Sequence, residues 1–135
     1  MRIGQVKNYL RNICIQNSIP EDHLSEFVVF NSCSNKIVNK NLSNIQTKKI
    51  IPICIRHEFY SHMCLCVIIF PHIFYFDPSG EPINKHLQNF LVNKFNKEII
   101  QENTSNKQRT KFECTFSCLR YLSYIISNGA YKNDF

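Results

Sequence analysis

The sequence has no tryptophan and only three glycines among its 135 residues. A core built without indole rings must be filled by other large side chains. Eleven Phe and six Tyr, with Ile and Leu, supply them, and an apolar fraction of 44% supports a folded protein. Long hydrophobic runs are also missing. The longest, Met63 to Phe70, is far short of the ~20 residues that cross a bilayer, so it reads as a buried strand and no membrane partner is expected. No apolar stretch ahead of a small-residue cleavage site marks the N-terminus, and the seven cysteines cannot all pair. Both observations favour reduced thiols in an intracellular, reducing compartment over a secreted disulfide scaffold. Internal repeats and linkers are absent too, so one compact domain over residues 1–135 is expected. Acidic residues are the minority, ten against sixteen Lys and Arg, and the formal charge of +6 would attract DNA or an acidic partner. No aromatic-and-basic module of recognisable spacing accompanies that charge.

Ile3, Val6, Leu10, Ile13 and Cys14 recur at three and four residues, which predicts an amphipathic helix over the first fifteen residues, closing near Asn17 and Ser18 before Pro20. Glu21 to Phe30 fits both a helical turn and a strand, and is taken as a short turn followed by an extended piece. Asn31 to Lys49, rich in Asn, Ser and Lys, reads as a surface loop. Ile50 to Ile55 reads as a strand interrupted or edged by Pro52. His62 to Phe70 offers apolar residues to both faces, as a central covered strand does. Pro71-His72 turns it into a second strand, Ile73 to Phe76, and strands joined so tightly must be antiparallel. Asp77-Pro78-Ser79-Gly80 is a turn, Pro82 suits the first position of a helix, and Ile83, Leu87, Phe90, Leu91 and Phe95 mark its buried face. Glu98 to Gln101 reads as a short strand and Glu102 to Thr110 as polar loop. Leu119, Leu122, Tyr124, Ile125 and Ile126 give Lys111 to Asn128 a helical apolar face, and Gly129 stops it, leaving a tail without evident core contribution.

Cys114 falls in the first turn of that last helix. Unpaired backbone N–H groups and the positive end of the helix dipole favour the thiolate there, and the thiolate is the form that attacks a carbonyl carbon. Cys118, one turn deeper, lacks that help. A cysteine nucleophile also needs an imidazole as base, a group to orient the imidazole, and donors for the oxyanion. His62 opens the central strand and Asp77 closes its antiparallel neighbour, so the hairpin brings the two ends together. Gln108, six residues before Cys114, carries a neutral amide that could serve the oxyanion beside the backbone N–H of Cys114.

The order His62, Asp77, Gln108, Cys114, with F-D-P-S-G after a strand and E-C-T-F-S-C-L-R-Y-L on a helix, resembles the adenoviral maturation proteases and SUMO-specific proteases, the adenain-like and Ulp-like cysteine peptidases. The resemblance covers His62 to Ile126, about half the chain. It matches His62 to the family's base, Asp77 to its acidic partner, Gln108 to its oxyanion glutamine, Cys114 to its nucleophile and Phe116 to the aromatic residue of its C-G-x-F motif. Two positions depart: Met63 stands where the family commonly has Trp, and Thr115 where it typically has Gly. A β-branched residue beside the nucleophile would be strained if the backbone there required positive φ.

The resemblance implies an α+β fold, a small, mainly antiparallel mixed sheet packed with helices. It implies a thiol-dependent endopeptidase that cleaves a polypeptide after small residues, especially glycine. Two roles follow from the family, maturation of viral precursors in a virion or host nucleus and removal of a ubiquitin-like modifier; the chain's shortness and its Asn and Lys bias favour the first. Adenoviral relatives take DNA and an activating peptide as partners. A catalytically degenerate relative, kept as a basic virion or nucleic-acid-binding protein, is the alternative. A competing reading takes His57, His62, Cys64 and Cys66 as a zinc cluster, but structural zinc sites usually use C-x2-4-C spacing on turns, whereas Cys64 and Cys66 are spaced at the period of a strand. His72 and His86 read as surface residues, and His23 carries no signal.

Overall fold

The computed structural model describes residues 2–39, 42, 44–102 and 113–131. Six strands, β1 (Val28–Asn31), β2 (Lys36–Ile37), β3 (Ile50–Arg56), β4 (Ser61–Ile69), β5 (His72–Phe76) and β6 (Glu98–Gln101), form one sheet in the order β2-β1-β3-β4-β5-β6. β1–β2, β3–β4 and β4–β5 are antiparallel, whereas β1–β3 and β5–β6 are parallel. The sheet is therefore mixed and mainly antiparallel, as expected.

Strand β4 is the centre because both of its faces are apolar. Met63, Leu65 and Val67 join one core with helices α1 (Ile3–Gln16) and α3 (Cys114–Ser127). Cys64, Cys66 and Ile68 join a second core under α2 (Lys85–Phe95). Each helix buries a stripe at three- or four-residue spacing: Val6, Leu10 and Cys14 in α1, Leu87, Leu91 and Phe95 in α2, Cys118, Leu122 and Ile125 in α3. Alternation along the strand and spacing along the helices thus agree on a helix–sheet–helix sandwich.

Several local expectations are corrected. Pro52 neither interrupts nor edges β3, which lies between β1 and β4. The Ser25 N–H donates to Ile50 O at 2.9 Å and the Ile68 N–H to Lys49 O at 2.7 Å. Even-numbered residues of β3 therefore turn their backbone groups toward β1, and Pro52 faces a gap between the Leu24–Ile50 bridge and the Val28–Ile53 pair. Its missing N–H breaks no ladder bond. The 31–49 stretch is not all surface loop: it holds β2 and a short 3-10 turn whose Ile45 is buried. Pro82 does not open α2, because Asn84 caps it, its side chain accepting from the N–H groups of His86 and Leu87. Tyr124 lies 65% exposed, off the buried face of α3. The chain beyond Gly129 does contribute to the core: Tyr131 is buried and its hydroxyl meets His23 Nδ1 at 2.8 Å.

Candidate active site

The hairpin β4–β5 does what its tight turn requires. Leu65 pairs with Phe76, so the start of β4 and the end of β5 emerge side by side. His62, the second residue of β4, and Asp77, the first beyond β5, meet there with Nε2 and Oδ1 2.6 Å apart, both side chains buried. Asp77 is fixed from its other side by its own turn. Its Oδ1 also accepts from the Ser79 N–H at 2.8 Å and hydroxyl at 2.7 Å, while its carbonyl accepts from the Gly80 N–H at 2.9 Å. Gly80 has φ 76°, the left-handed region that the turn needs.

Helix α3 begins at Cys114 and lays its first turn on the backbone of Met63. The Met63 N–H donates to Cys114 Sγ at 3.4 Å, and the Cys118 thiol donates to Met63 O at 3.5 Å. With Nε2 of His62 held by Asp77, Nδ1 is the ring nitrogen left for the thiol, and the two side chains lie within mutual hydrogen-bonding influence. His62, Asp77 and Cys114 are thus brought together. Gln108 lies outside the described residues. Thr115 sits in the helix, so its backbone does not need the positive φ that would strain it. Met63, at the position of the family's Trp, is fully buried in the core.

The electrostatics follow from these contacts. Burial alone would lower the pKa of His62, but bonds to Asp77 and Cys114 carry it up to about 9. Burial raises the Cys114 thiol, yet the His62 imidazole, the Met63 N–H and the Thr115 hydroxyl together bring it below an ordinary thiol. Burial opposes ionisation of Asp77 as well, but its bonds to His62 and Ser79 hold its carboxyl below the usual range. The two directions at His62 and Cys114 describe an imidazolium–thiolate pair. The first amides of α3 have no acceptor within the helix, and Glu113, the residue before it, gives them no side-chain capping bond.

Among solved structures, the ASFV pS273R protease matches with a TM-score of 0.59 at 10% identity, covering 94% of this chain and 57% of that one. The SUMO protease Ulp1, with its catalytic cysteine oxidised to a sulfenic acid, matches with a TM-score of 0.53 at 17% identity, covering 100% of this chain and 69% of that one. A de-sumoylating protease gives 0.53 at 14% identity, over 90% of this chain and 59% of that one. The fold is that of the Ulp-like cysteine peptidases. The chain spans 57% of the length of the ASFV protease and 59% of the de-sumoylating protease. No family model matches it, and neither does any curated protein.

Two residues of the zinc reading are placed elsewhere. His57 turns Nδ1 to Ser32 Oγ at 2.9 Å and lies tilted against the Tyr60 ring, while Cys66 lies inside the α2-side core. Among the described residues, the group with donor atoms close enough to share an ion is instead His62, Cys64 and Asp77, within 4.8 Å of one another. Those donors are already engaged: His62 with Asp77, and Cys64 with the Tyr75 hydroxyl at 3.2 Å. Burial first, and then the Asp77 charge, push the Cys64 thiol far up, whereas a metal needs its thiolate. Of the other histidines, His86 is exposed and His72 half-buried, while His23 is buried against Tyr131. Two contributors were not named from sequence. Ser79 was readable in principle from the D-P-S-G turn; the Met63 N–H, a backbone group, has no sequence signal of its own.

Proposed function

We propose that this chain is a cysteine endopeptidase that cleaves a polypeptide after small residues, with Cys114 as nucleophile, His62 as proton carrier and Asp77 as its orienting partner. The observation that carries this reading is the buried Asp77–His62 pair facing a helix-start thiol whose pKa is lowered. The Cys114 thiolate adds to the scissile carbonyl, forming a C–S bond and an oxyanion. Backbone N–H groups at the start of α3, with the amide of Gln108 as expected from its place in the sequence, stabilise that charge. Collapse breaks the C–N bond as His62 gives its proton to the leaving amine. Neutral His62 then takes a proton from water, whose oxygen attacks the thioester and releases the carboxylate and the thiol.

The biological setting proposed is maturation of viral precursors in a virion or host nucleus, supported by the likeness to the ASFV protease. Removal of a ubiquitin-like modifier is a second reading, supported by the likeness to Ulp1 and to the de-sumoylating protease. The charge of +6 supports DNA, an acidic protein or an activating peptide as a further partner.

The test is stoichiometric labelling with a short glycine-ended electrophile, mapped by mass across the seven cysteines. Selective modification of Cys114, abolished in Cys114→Ala and strongly slowed in His62→Ala, is the expected result. Indiscriminate labelling, together with salt-sensitive DNA binding, would instead mark a degenerate relative kept as a basic virion or nucleic-acid-binding protein.

A further inference from the structure

The early end of β5 leaves one residue of the central strand without a sheet partner. The Ile68 N–H donates across β4 and β3 to Lys49 O, so even-numbered residues of β4 turn their backbone groups toward β3 and odd-numbered ones toward β5. Ile69, Val67 and Leu65 meet His72, Phe74 and Phe76 on that side. Met63 comes next in the register, and the position opposite it is Pro78, beyond the strand and without an N–H to give. The turn that carries Asp77 to His62 therefore takes the ladder away from Met63. Met63 is fully buried, where an unpaired backbone group is costly. Helix α3 supplies the missing partners as two sulfurs one turn apart. Cys114 Sγ accepts from the Met63 N–H at 3.4 Å, and the Cys118 thiol donates to Met63 O at 3.5 Å.

The two sulfurs have opposite duties. Cys114 is the acceptor, and a better one when ionised, whereas Cys118 must keep its proton in order to donate. Cys118 has no exposed surface, and burial first, then the neighbouring Cys114, push its thiol far above an ordinary one. We propose that Cys118 is a positioning residue for the nucleophile: by holding the Met63 carbonyl it fixes the end of β4 whose N–H is aimed at Cys114 Sγ. The inference rests on the proteolytic reading above and adds to it a residue that acts through the strand. The Met63 N–H belongs to the peptide that joins Met63 to His62, so the same hold steadies the base beside the sulfur.

The test sets Cys118→Ala and Cys118→Val, which lose the donor, against Cys118→Ser, which keeps one, all in the full chain. Two quantities are read: the pH profile of Cys114 alkylation by iodoacetamide, mapped by mass, and amide hydrogen exchange at Met63 and Leu65. Without the donor the profile is expected to move up by about half a pH unit or more. Exchange at Met63 is expected to quicken on the order of tenfold relative to Leu65, whose N–H stays in the ladder with Phe76. Cys118→Ser should lie close to the wild type in both. A Cys114 profile unchanged in Cys118→Ala and Cys118→Val overturns the proposal. So do equal changes at Met63 and Leu65, or a Ser variant that behaves as Ala does, since Cys118 then only fills the core. Alkylation reads the sulfur whether or not a peptide is cleaved, which keeps the two ideas apart. A Cys118-dependent profile without selective labelling by the glycine-ended electrophile sinks the proteolytic reading alone. Selective labelling with a Cys118-independent profile sinks the positioning role alone.

Discussion

His62 and Cys114 each set the other's proton. The imidazole is raised to about 9 and the thiol lowered, so the thiol ionises below its ordinary range while its imidazolium partner persists until pH approaches 9. Alkylation of Cys114 by iodoacetamide should therefore rise below the ordinary thiol range and change again near pH 9, when the ring loses its proton. Rates followed by mass spectrometry check this; a single rise at the ordinary thiol pKa would contradict the ion pair. Asp77→Asn removes the charge that helps to raise His62. The alkylation profile should then move up toward an ordinary thiol, and turnover should fall by roughly 10²- to 10⁴-fold. At this scale the sequence was informative where an element end carries its own letter: His62 heads a strand, Asp77 sits in a turn motif, and Cys114 starts a helix. It was silent on the Met63 amide, because a backbone group gains its role only from what folds onto it.

Among the elements, α2 shows how a boundary is decided. Pro82 suits a first helical position, yet Asn84 satisfies two otherwise unpaired N–H groups and α2 starts after it. Asn84→Ala should cost about 1 kcal/mol in urea unfolding, with α2 otherwise intact by circular dichroism. The buried stripes of α1 and α2 were legible because four-residue spacing of large apolar side chains repeats over three turns. The edge strand β2 was not, since two residues cannot display a period. Tyr124 was misplaced for a related reason: an aromatic ring beside Ile125 scores as core in a pattern, whereas α3 turns it outward. Tyr131 was missed because its burial depends on His23, 108 positions away.

For the whole molecule, linked protonation decides how stability varies with pH. His62 is raised, so alone it would contribute stability that is full below about pH 6.5 and lost as pH rises toward 9. Cys114 is lowered, so its contribution is present above the unfolded thiol pKa and lost as pH falls through the folded one. Where the folded thiol is ionised and the unfolded one is not, its slope opposes that of the ring. Urea-unfolding free energy of the wild type should hence fall less steeply toward pH 9 than His62 alone would dictate. Cys114→Ala removes the offset, and its stability should decline with rising pH by up to about 1.4 kcal/mol per unit. Asp77, held low, adds stability that disappears only under acid, below its usual range. The mixed sheet itself followed from the doubly apolar β4 and its tight hairpin, but the parallel partners β1 and β6 arrive through long connections that no local pattern announces.

The Met63 peptide unit is gripped by two sulfurs, its N–H by Cys114 and its carbonyl by Cys118. That N–H is consequently a built-in sensor of the Cys114 sulfur. In a nitrogen-15 correlation spectrum its proton should shift when Cys114 ionises, is alkylated or is acylated, so one resonance would follow the sulfur through every chemical state without a substrate being known.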